Sequence, residues 1–455
     1  KMKDKNHPNN LATDGGAMLR ITKLCLNILM FGIYLSPSVS LLASEYTIIH
    51  AGTLLFDARD KPLNTQSVIV KDSTILEIRS GYSAKSDINT TDDDTVSVID
   101  LSEHFVMAGL IDSHVHITGD SDRRDSRLDI IYKSDAERAV LAVPNARNKL
   151  LAGYTTIRNV GGPRNIVIGL RDGIKSGAIH GPRMLVATDS ISPTGGHGDT
   201  NGYKPGLIES GSSICDGIGD CQRAVRQQIK NGADLIKYVA TGGVMSNIAA
   251  GVDQQFSDEE QRAIVATAHS MGRKVAAHAH GTNGINAALR AGVDSIEHGS
   301  YLNNESIELF KESGAYLVPT LSVAEWAVEE AAKPDTQFPP NVVAKATIVG
   351  VQTIKGLSQA YKAGVKIALG TDFSGDKHMA SKREMGLLKS AGMAEKDILI
   401  AATVNGADLL GLSEEIGTLG AGKSADMVAY IENPLENIDT MLDPIFVMAR
   451  GRIAE

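Results

Sequence analysis

Residues 275–300 read VAAHAHGTNGINAALRAGVDSIEHGS, and two short apolar segments lie in this stretch on either side of an amphipathic one. The outer segments, 274–280 and 294–299, have the length and apolar composition of buried strands. The middle segment, 284–292, has apolar residues at the 3.6-residue spacing of a helix. A strand, a helix and a second strand in so short a stretch are typical of parallel sheets with crossover helices. The stretch therefore predicts an α/β fold.

The same alternation of short apolar runs and longer helical patterns continues on both sides of this stretch. Residues 258–272, DEEQRAIVATAHSMG, are one of the predicted helices. The strand-like runs lie at residues 105–113, 155–160, 183–189, 234–240, 274–280, 294–299, 316–322 and 366–372. Eight such runs are the number needed for a closed (β/α)₈ TIM barrel, which we predict over residues 105–412.

The flanks of the predicted barrel have a different pattern of apolar and polar residues. Residues 45–104 contain short alternating segments, and residues 413–455 return to short strands after the last helical pattern. Alternation with period two is typical of strands that have one buried face. We expect these two flanks to form one small β-unit from both ends of the chain, outside the barrel.

Composition limits the classes of function. The chain has 455 residues, of which 42% are hydrophobic and 22% charged, so it is long enough and apolar enough for a large buried core. Its formal net charge is −9, and no basic run or interleaving of basic and aromatic residues reverses that balance. A polyanion would be repelled on average, so nucleic-acid binding is not expected.

The first 44 residues are predicted to lie outside the fold. Residues 1–17 are polar and precede Met18, and we interpret them as an upstream segment. From Met18 the chain has two basic residues, then an apolar stretch, then small residues, which is the layout of a signal peptide over residues 18–44. The alternative is a single membrane anchor, but Pro37 and the serines shorten the apolar run. We therefore predict a periplasmic or secreted protein without membrane association after cleavage.

Two cysteines remain beyond the predicted signal, at positions 215 and 221 in the segment CDGIGDC. In an oxidising compartment a disulfide between Cys215 and Cys221 is compatible with this spacing. Two free thiols beside the start of a helix are equally compatible. Neither cysteine has a histidine at the spacing of a metal site, so zinc ligation by them is not expected.

Polar residues that are unusual inside strands lie near the ends of the predicted barrel strands. They are His114, His116, Lys237, His278, His298 and Asp372. Active sites of such barrels lie at the carboxyl ends of the strands, and residues two apart on a strand point the same way. Each residue alone has a structural interpretation, such as a hydrogen-bonded histidine, a surface lysine or a capping aspartate. Together, at the same end of one barrel, they favour a metal site.

The residue types also indicate how such a site would work. Neutral imidazoles and carboxylates suit zinc, and manganese or cobalt would fit the same ligands. A lysine that reacts with carbon dioxide becomes an anionic carbamate whose two oxygens can bridge two ions. We expect His114, His116 and Asp372 to hold one ion and His278 and His298 the other, with carboxylated Lys237 between them. Two ions lower the pKa of a water, which becomes the nucleophile, and Asp372 would accept its proton.

With these residues in these positions, the sequence resembles the amidohydrolase superfamily. The resemblance is carried by GLIDSHVHI (109–117), GADLIKYVATGGVMS (232–246), the stretch 275–300, LGTD (369–372) and the segment from NGADLLGL to SADMVAY (405–430). It covers the chain from about residue 46 to its end, and it is strongest to the imidazolonepropionase-related group, which includes prolidases, dipeptidases and carboxypeptidases. The resemblance implies a barrel flanked by a β-sandwich, and the same six metal ligands.

The resemblance also implies residues that contact the substrate. The loop SPTGGHGD (192–199) implies that His197 polarises the scissile carbonyl or binds near the substrate carboxylate. The loop ATGGVMS (240–246) implies that Gly242 and Gly243 line the site, although these glycines could equally serve only the turn. His280 shares one side of its strand with His278, and the family motif makes it a pocket residue.

Some features depart from the family pattern or leave the substrate open. Many relatives have an Arg-Asp pair where this chain has Arg158 and Asn159, so no acidic residue is available there for a cationic substrate group. Arg158 and Arg164 are candidates for binding a substrate carboxylate, but both could instead form structural ion pairs.

The resulting prediction is an exported enzyme with two divalent ions that cleaves an amide bond next to a free carboxylate. Its substrate would be a dipeptide, as for a prolidase or carboxypeptidase, or an N-acyl amino acid of the ochratoxin type. One alternative is a one-metal hydrolase or deaminase of cyclic amides, which has no need for a bridging lysine. The other is a non-enzymatic periplasmic binding protein. Barrel surfaces commonly support self-association, so a homo-oligomer is compatible with the sequence.

Overall fold

The computed structural model describes residues 43–119, 129–202, 204, 207, 211–246, 251–375 and 380–454. The predicted upstream segment and signal peptide therefore lie outside the described residues. In the part of the chain that is described, no helix combines the length and the apolar character that a membrane span requires.

The fold contains fourteen strands. The strands are β1 (Glu45–Leu55), β2 (Leu63–Lys71), β3 (Thr74–Ser80), β4 (Thr95–Ala108), β5 (Leu110–Val115), β6 (Tyr154–Asn159), β7 (Arg183–Val186), β8 (Ile236–Val239), β9 (Val275–Ala279), β10 (Ser295–His298), β11 (Tyr316–Val318), β12 (Met427–Tyr430), β13 (Phe446–Ala449) and β14 (Arg452–Ile453), all within the described residues.

Twelve α-helices lie among the described residues. They are α1 (Asp129–Tyr132), α2 (Asp135–Leu151), α3 (Arg164–Lys175), α4 (Ile218–Lys230), α5 (Asp258–Ser270), α6 (Thr282–Ala291), α7 (Asn304–Ser313), α8 (Leu321–Ala331), α9 (Pro340–Lys362), α10 (Ala380–Ser390), α11 (Glu395–Ala402) and α12 (Val404–Leu410). Short 3₁₀ helices cover Lys85–Asp87 and Ile438–Leu442.

Strands from both chain ends form one sheet. Its order is β14-β13-β12-β4-β1-β2-β3, in which β12 pairs with β4 and so joins the two ends. The prediction that both flanks build one β-unit agrees with this sheet. A β-sandwich is not confirmed, since these seven strands form a single sheet.

The chain passes from this sheet into the barrel at Gly109. Strand β4 continues to Ala108, and β5 begins at Leu110, so residues 105–108 belong to the seven-stranded sheet and not to the first barrel strand. The Gly109 amide donates to the Asp426 carbonyl of the sheet, and the Leu110 amide donates to Gly153 beside β6. A Cβ atom at Gly109 would collide with the Thr155 side chain, so the close approach requires glycine.

Seven of the eight predicted barrel runs contain strands, which form two parallel sheets. Their orders are β5-β6-β7 and β11-β10-β9-β8. Residues 366–372, the eighth run, make only an isolated bridge to β11, but backbone hydrogen bonds also join them to β5, including Ser113 N–H to Leu369 C=O. On the other side, the Asp234 amide donates to Val186, and Ile191 exchanges backbone bonds with the β8 segment. The result is an α/β TIM-barrel-like fold.

The helices cover the parallel strands with apolar faces. One core cluster includes Ile157, Ile236, Ala277 and Ile296 from strands and Leu170, Val225, Ile264 and Leu289 from helices. Helix α5 begins with a capping box in which Ser257 and Glu260 satisfy each other's backbone N–H groups. This packing fixes the strand ends that carry the polar residues.

Cys215 and Cys221 form a disulfide at the start of α4. Both residues are buried, and the Cys215 amide donates to the Ser192 carbonyl at the base of the loop that carries His197. The disulfide alternative is therefore the one present in the structure.

Candidate metal centre

The strands bring the six predicted ligands to one end of the barrel. His114 lies on β5, Lys237 on β8, His278 on β9 and His298 at the end of β10. His116 follows β5 directly, and Asp372 closes the segment 366–372. Because neighbouring barrel strands are parallel, their carboxyl ends share one rim, as the sequence predicts.

His114, His116 and Asp372 form the first group. Asp372 Oδ1 lies 3.3 Å from His114 Nε2 and 3.4 Å from His116 Nε2. The possible ligand atoms of the three residues all lie within 4.8 Å of one another. Burial raises the pKa of the Asp372 carboxyl, but the adjacent imidazoles of His114 and His116 and the amine of Lys237 outweigh it and lower the pKa to about 2. Asp372 is therefore a carboxylate at neutral pH.

His278, His280 and His298 form the second group, again with ligand atoms within 4.8 Å. The rings of His280 and His298 are stacked with centroids 4.8 Å apart, and His278 meets both edge-on. His114 joins the two groups, since its ring centroid lies 5.1 Å from that of His298. His280, predicted as a pocket residue, thus stands among the predicted ligands.

Each predicted ligand histidine has one ring nitrogen held by the protein, which leaves the other nitrogen available. His114 Nδ1 lies 2.6 Å from Glu297 Oε2, His116 Nδ1 lies 2.9 Å from the Gly161 carbonyl oxygen, and His298 Nδ1 lies 2.7 Å from Thr320 Oγ1. His278 instead places Nε2 at 3.4 Å from the Gly242 carbonyl oxygen, which leaves Nδ1. Such contacts fix the tautomer and the orientation of metal-binding imidazoles.

The His114 ring provides a direct test of whether the residues fit a metal. His114 Nε2 is buried and makes no hydrogen bond of good geometry among the described residues, although it lies 3.3 Å from Asp372 Oδ1. When the imidazole is neutral and Nδ1 donates to Glu297, Nε2 turns a lone pair towards that carboxylate, which is unfavourable unless a cation binds both. With imidazole and carboxylate donors on both sides, the residues fit a divalent ion such as zinc.

Glu297 and Arg158 form a buried ion pair behind His114. Arg158 Nη2 lies 2.8 Å from Glu297 Oε1, and Ser295 Oγ donates to the same oxygen. Burial raises the pKa of Glu297, but Arg158 and His114 more than offset this and hold the pKa well below its usual range. Arg158, a sequence candidate for the substrate carboxylate, is 3% exposed and instead serves this pair.

A second buried network supports the turn that carries Asp372. Lys149 Nζ lies 2.7 Å from Asp112 Oδ2 and 2.9 Å from Thr371 Oγ1. Asp112 also accepts hydrogen bonds from the Thr371 amide and hydroxyl. Asp372 itself has φ 60°, a conformation that non-glycine residues rarely adopt, and its amide donates to the His114 carbonyl. The network holds this turn in place.

Lys237 lines the same cavity as the two groups. It is 3% exposed, and no acidic side chain among the described residues forms an ion pair with it. Burial lowers the pKa of the amine to about 8, although Glu297 and Asp372 oppose the shift. A buried amine with a lowered pKa is neutral in a larger fraction of molecules, which is the form that reacts with carbon dioxide.

His197 lies at the cavity edge on the loop 192–199. Its ring centroid is 4.4 Å from that of His278, and its Nδ1 contacts Ser246 Oγ. Burial is the largest effect on the His197 pKa, and together with Lys237 it lowers the value to about 4. The Gly243 amide donates to the same Ser246 oxygen. A Ser246 hydroxyl that donates to His197 Nδ1 would place the imidazole proton on Nε2.

Gly242 and Gly243 lie behind the histidines. A Cβ atom at Gly243 would collide with the His197 ring, and one at Gly242 would collide with the Gly251 carbonyl. These contacts give both glycines a packing role, while contact with a substrate stays a prediction. Asn159 is also structural, because its amide accepts from Ile117 N–H and donates to the Gly161 carbonyl. An aspartate there could not make both hydrogen bonds.

The comparisons with known proteins agree with this geometry. The model of the amidohydrolase family matches residues 105–454. The chain belongs to this family.

Relatives of known activity support the same assignment. Ochratoxinase of Aspergillus niger is 33% identical over 417 residues, which cover 88% of this chain and 84% of that protein. A Xaa-Pro dipeptidase, solved with methionine bound in its active site, has a TM-score of 0.83 and 36% identity and covers 90% of this chain and 100% of that one. A prolidase solved with N-methylphosphonate-L-proline has a TM-score of 0.80 and 28% identity and covers 90% and 99%.

This amidohydrolase is accordingly a hydrolase that acts on amide or peptide bonds. The non-enzymatic alternative considered from the sequence is therefore rejected.

The amidohydrolase site opens into a cavity of about 1070 Å³. One wall carries charged side chains, which are Asp129, Lys133, Asp135, Arg138 and Asp189. A second set of lining residues is mostly apolar and comes from α8, α9 and the loop after β8. The cavity therefore offers two chemically different surfaces to a substrate.

Several residues that shape the site were not predicted from the sequence. Glu297 stands next to His298 in SIEH, and both side chains lie against the His114 ring. A charged residue inside a short buried strand was the available signal for it. Thr320 and Ser246 gave no such signal, since hydroxyl residues are common in loops.

Proposed function

We propose that this chain is a metal-dependent amidohydrolase with two divalent ions that cleaves an amide bond next to a free carboxylate. The observation that carries the proposal is the division of the imidazole and carboxylate donors into two groups that line the same cavity as the buried Lys237. The relatives add support, because they include an ochratoxinase and a dipeptidase solved with a free amino acid in its active site. Its substrates are dipeptides or N-acyl amino acids.

In this proposal His114, His116 and Asp372 hold one ion, and His278 and His298 hold the other. Carboxylated Lys237 would supply anionic oxygens to both ions, and zinc is the proposed metal because imidazole and carboxylate donors suit it. A one-metal cyclic-amide hydrolase has no need for a carbamate. The buried Lys237, without an acidic partner among the described residues, therefore favours the two-metal centre.

The bound ions would supply a water of lowered pKa and would polarise the scissile carbonyl. Asp372 is ionised and adjacent to both histidines of its group, so it can accept a proton from the attacking water. It then passes this proton to the leaving nitrogen. His197, neutral and with its proton on Nε2, donates a hydrogen bond to the oxygen that gains negative charge.

The direct test is a screen of the zinc-loaded protein against dipeptides and N-acyl amino acids, read by release of free amino acid. We expect hydrolysis of substrates with a free carboxylate and loss of hydrolysis when that carboxylate is amidated. Hydrolysis of cyclic amides alone, or release of ammonia from a heterocycle, would contradict the proposal.

Export is also part of the proposal, and it rests on the basic and apolar pattern of residues 18–44. The test is expression of the full chain followed by N-terminal sequencing of the mature protein. We expect an exported protein that begins near residues 41–45. An unprocessed protein retained in the cytoplasm would contradict export.

A further inference from the structure

The apolar wall of the cavity consists of two packed helices and one loop. From α8 it includes Val323, Trp326 and Ala327, and from α9 it includes Ala346 and Val349. Helices α8 and α9 approach closely at Gly350, where a Cβ atom would collide with Val328. This close packing fixes the wall, so its shape is set before a ligand arrives.

Trp326 is the largest side chain of this wall. Its ring packs edge-on against Phe338, with centroids 5.8 Å apart, and against Phe373, with centroids 6.3 Å apart. Phe373 is buried and leaves no freedom for the indole on that side. The indole is therefore held in place with one surface facing the cavity.

The wall adjoins the candidate metal centre at two points. Phe373 directly follows Asp372 in the chain, so the Trp326–Phe373 contact links the wall to the carboxylate. Helix α8 begins one residue after Thr320, whose hydroxyl contacts His298. An apolar group bound beside Trp326 would therefore lie next to the bond that is cleaved.

The chemistry of the wall limits what it can bind. The α8 and α9 side chains named above are all apolar, so a charged group placed there would lose its hydration without gaining a partner. An aromatic or large aliphatic group would instead bury its surface against the indole and the valines. The charged lining residues come from other segments of the chain, namely α1, α2 and the turn after β7.

On the basis of the proposed function, we propose that this wall is the specificity site for the amino acid that is released. Asp372 delivers its proton to the leaving nitrogen, and the wall adjoins Asp372 through Phe373. The side chain of the amino acid on that nitrogen therefore lies against Trp326. The enzyme selects substrates that release an aromatic or large aliphatic amino acid.

The test compares matched substrates of the zinc-loaded enzyme. N-acetyl-L-phenylalanine and N-acetyl-L-leucine should have a kcat/KM about 10- to 100-fold above that of N-acetylglycine, because a large side chain is buried. N-acetyl-L-lysine should be no better than N-acetylglycine. N-benzoylglycine, which carries its ring on the acyl half, should also gain less than threefold.

Two variants of Trp326 and one control variant test whether this side chain determines the substrate preference. Trp326→Ala should reduce the ratio of kcat/KM for N-acetyl-L-phenylalanine to kcat/KM for N-acetylglycine about tenfold. Trp326→Phe should retain most of this ratio. Ile348→Ala, an α9 position that is 63% exposed outside the cavity, should leave the ratio unchanged. Metal content and circular dichroism are measured for each variant, and the ratio itself is independent of the fraction of active enzyme.

The outcomes separate the two proposals. If the protein holds two ions but hydrolyses none of these substrates or the dipeptides, the proposed function fails. If it hydrolyses them but prefers lysine, glycine or the benzoyl group, the proposed function stands and the specificity site is wrong. An unchanged ratio in folded Trp326→Ala would likewise overturn the specificity site.

Discussion

Replacement of Glu297 by glutamine tests whether the buried pair behind His114 prepares that ring for a metal. Glutamine keeps an oxygen for Arg158 and Ser295, which contact Glu297 Oε1. It places an NH₂ group where Oε2 now lies 2.6 Å from His114 Nδ1. Since two donors cannot face each other, the His114 proton must move from Nδ1 to Nε2. Nε2, the nitrogen beside Asp372, then cannot bind an ion.

The expected magnitudes follow from burial. Loss of an orienting carboxylate behind a metal-binding histidine typically weakens metal affinity by about 10- to 100-fold. Glu297 is 0% exposed and Arg158 is 3% exposed, so the guanidinium would lose its counter-charge in a dry environment. Removal of one partner from such a pair lowers the free energy of unfolding by roughly 3–5 kcal/mol. We expect a value near the lower end, since glutamine keeps one hydrogen bond to Arg158.

The assay is competition for zinc against a chelator of known affinity, together with urea unfolding of the metal-free proteins. Glu415→Gln is the matched control, because Glu415 pairs with Arg183 at the surface and is 58% exposed. The control should change stability by less than about 1 kcal/mol and leave zinc affinity unchanged. Zinc affinity of folded Glu297→Gln equal to that of the unchanged protein would refute the role of Glu297 in fixing the His114 tautomer.

Three further predictions concern the ligands and the acid side of the stability profile. Asp372→Asn should retain ions but lose kcat by about two orders of magnitude or more, measured by steady-state kinetics; nearly full activity would exclude proton transfer by Asp372. Lys237→Ala should lose the paired ions, and added formate or acetate should restore part of the activity; normal metal content without such acids would contradict a bridging carbamate. Burial lowers the pKa of His197 to about 4 and that of His280 to about 3, so the folded state binds fewer protons than the unfolded state. The stability that these two imidazoles contribute to the metal-free protein should be present above pH 6.5 and be lost from there towards pH 4, by at most about 1.4 kcal/mol per pH unit for each imidazole. This loss exceeds the opposite effect of Glu384, whose pKa burial raises to about 7, so thermal unfolding independent of pH over that range would contradict the shifts.

The barrel and its rim residues were predictable because they depend on short-range patterns. Strand and helix periodicities repeat along the chain, and a histidine at the end of a buried strand can be identified without knowledge of its neighbours. The expected helix at 258–272 agrees with α5, which ends at Ser270. His114 on β5 and His116 just after it are two residues apart, so the period of a strand predicts both on one side.

What could not be predicted depends on contacts between distant residues. Arg158 and Glu297 are 139 positions apart, and Lys149 and Thr371 are 222 apart, so no local pattern joins them. From the sequence alone, Arg158 at a strand end could equally bind a substrate carboxylate. Only the position of Glu297 in the structure shows that Arg158 forms a structural ion pair. The chain passes from the seven-stranded sheet into the barrel at Gly109, where the Thr155 side chain leaves no room for a Cβ atom. The continuous apolar run 105–113 does not show this boundary.

The most direct test of the account is the number of divalent ions per chain. The protein is loaded with zinc, freed of unbound metal and measured by inductively coupled plasma mass spectrometry alongside protein concentration and hydrolysis rate. A two-metal centre predicts two ions per chain, with activity that rises to its maximum only when the second ion binds. Full activity at one ion per chain would contradict the two-metal centre and favour the one-metal alternative.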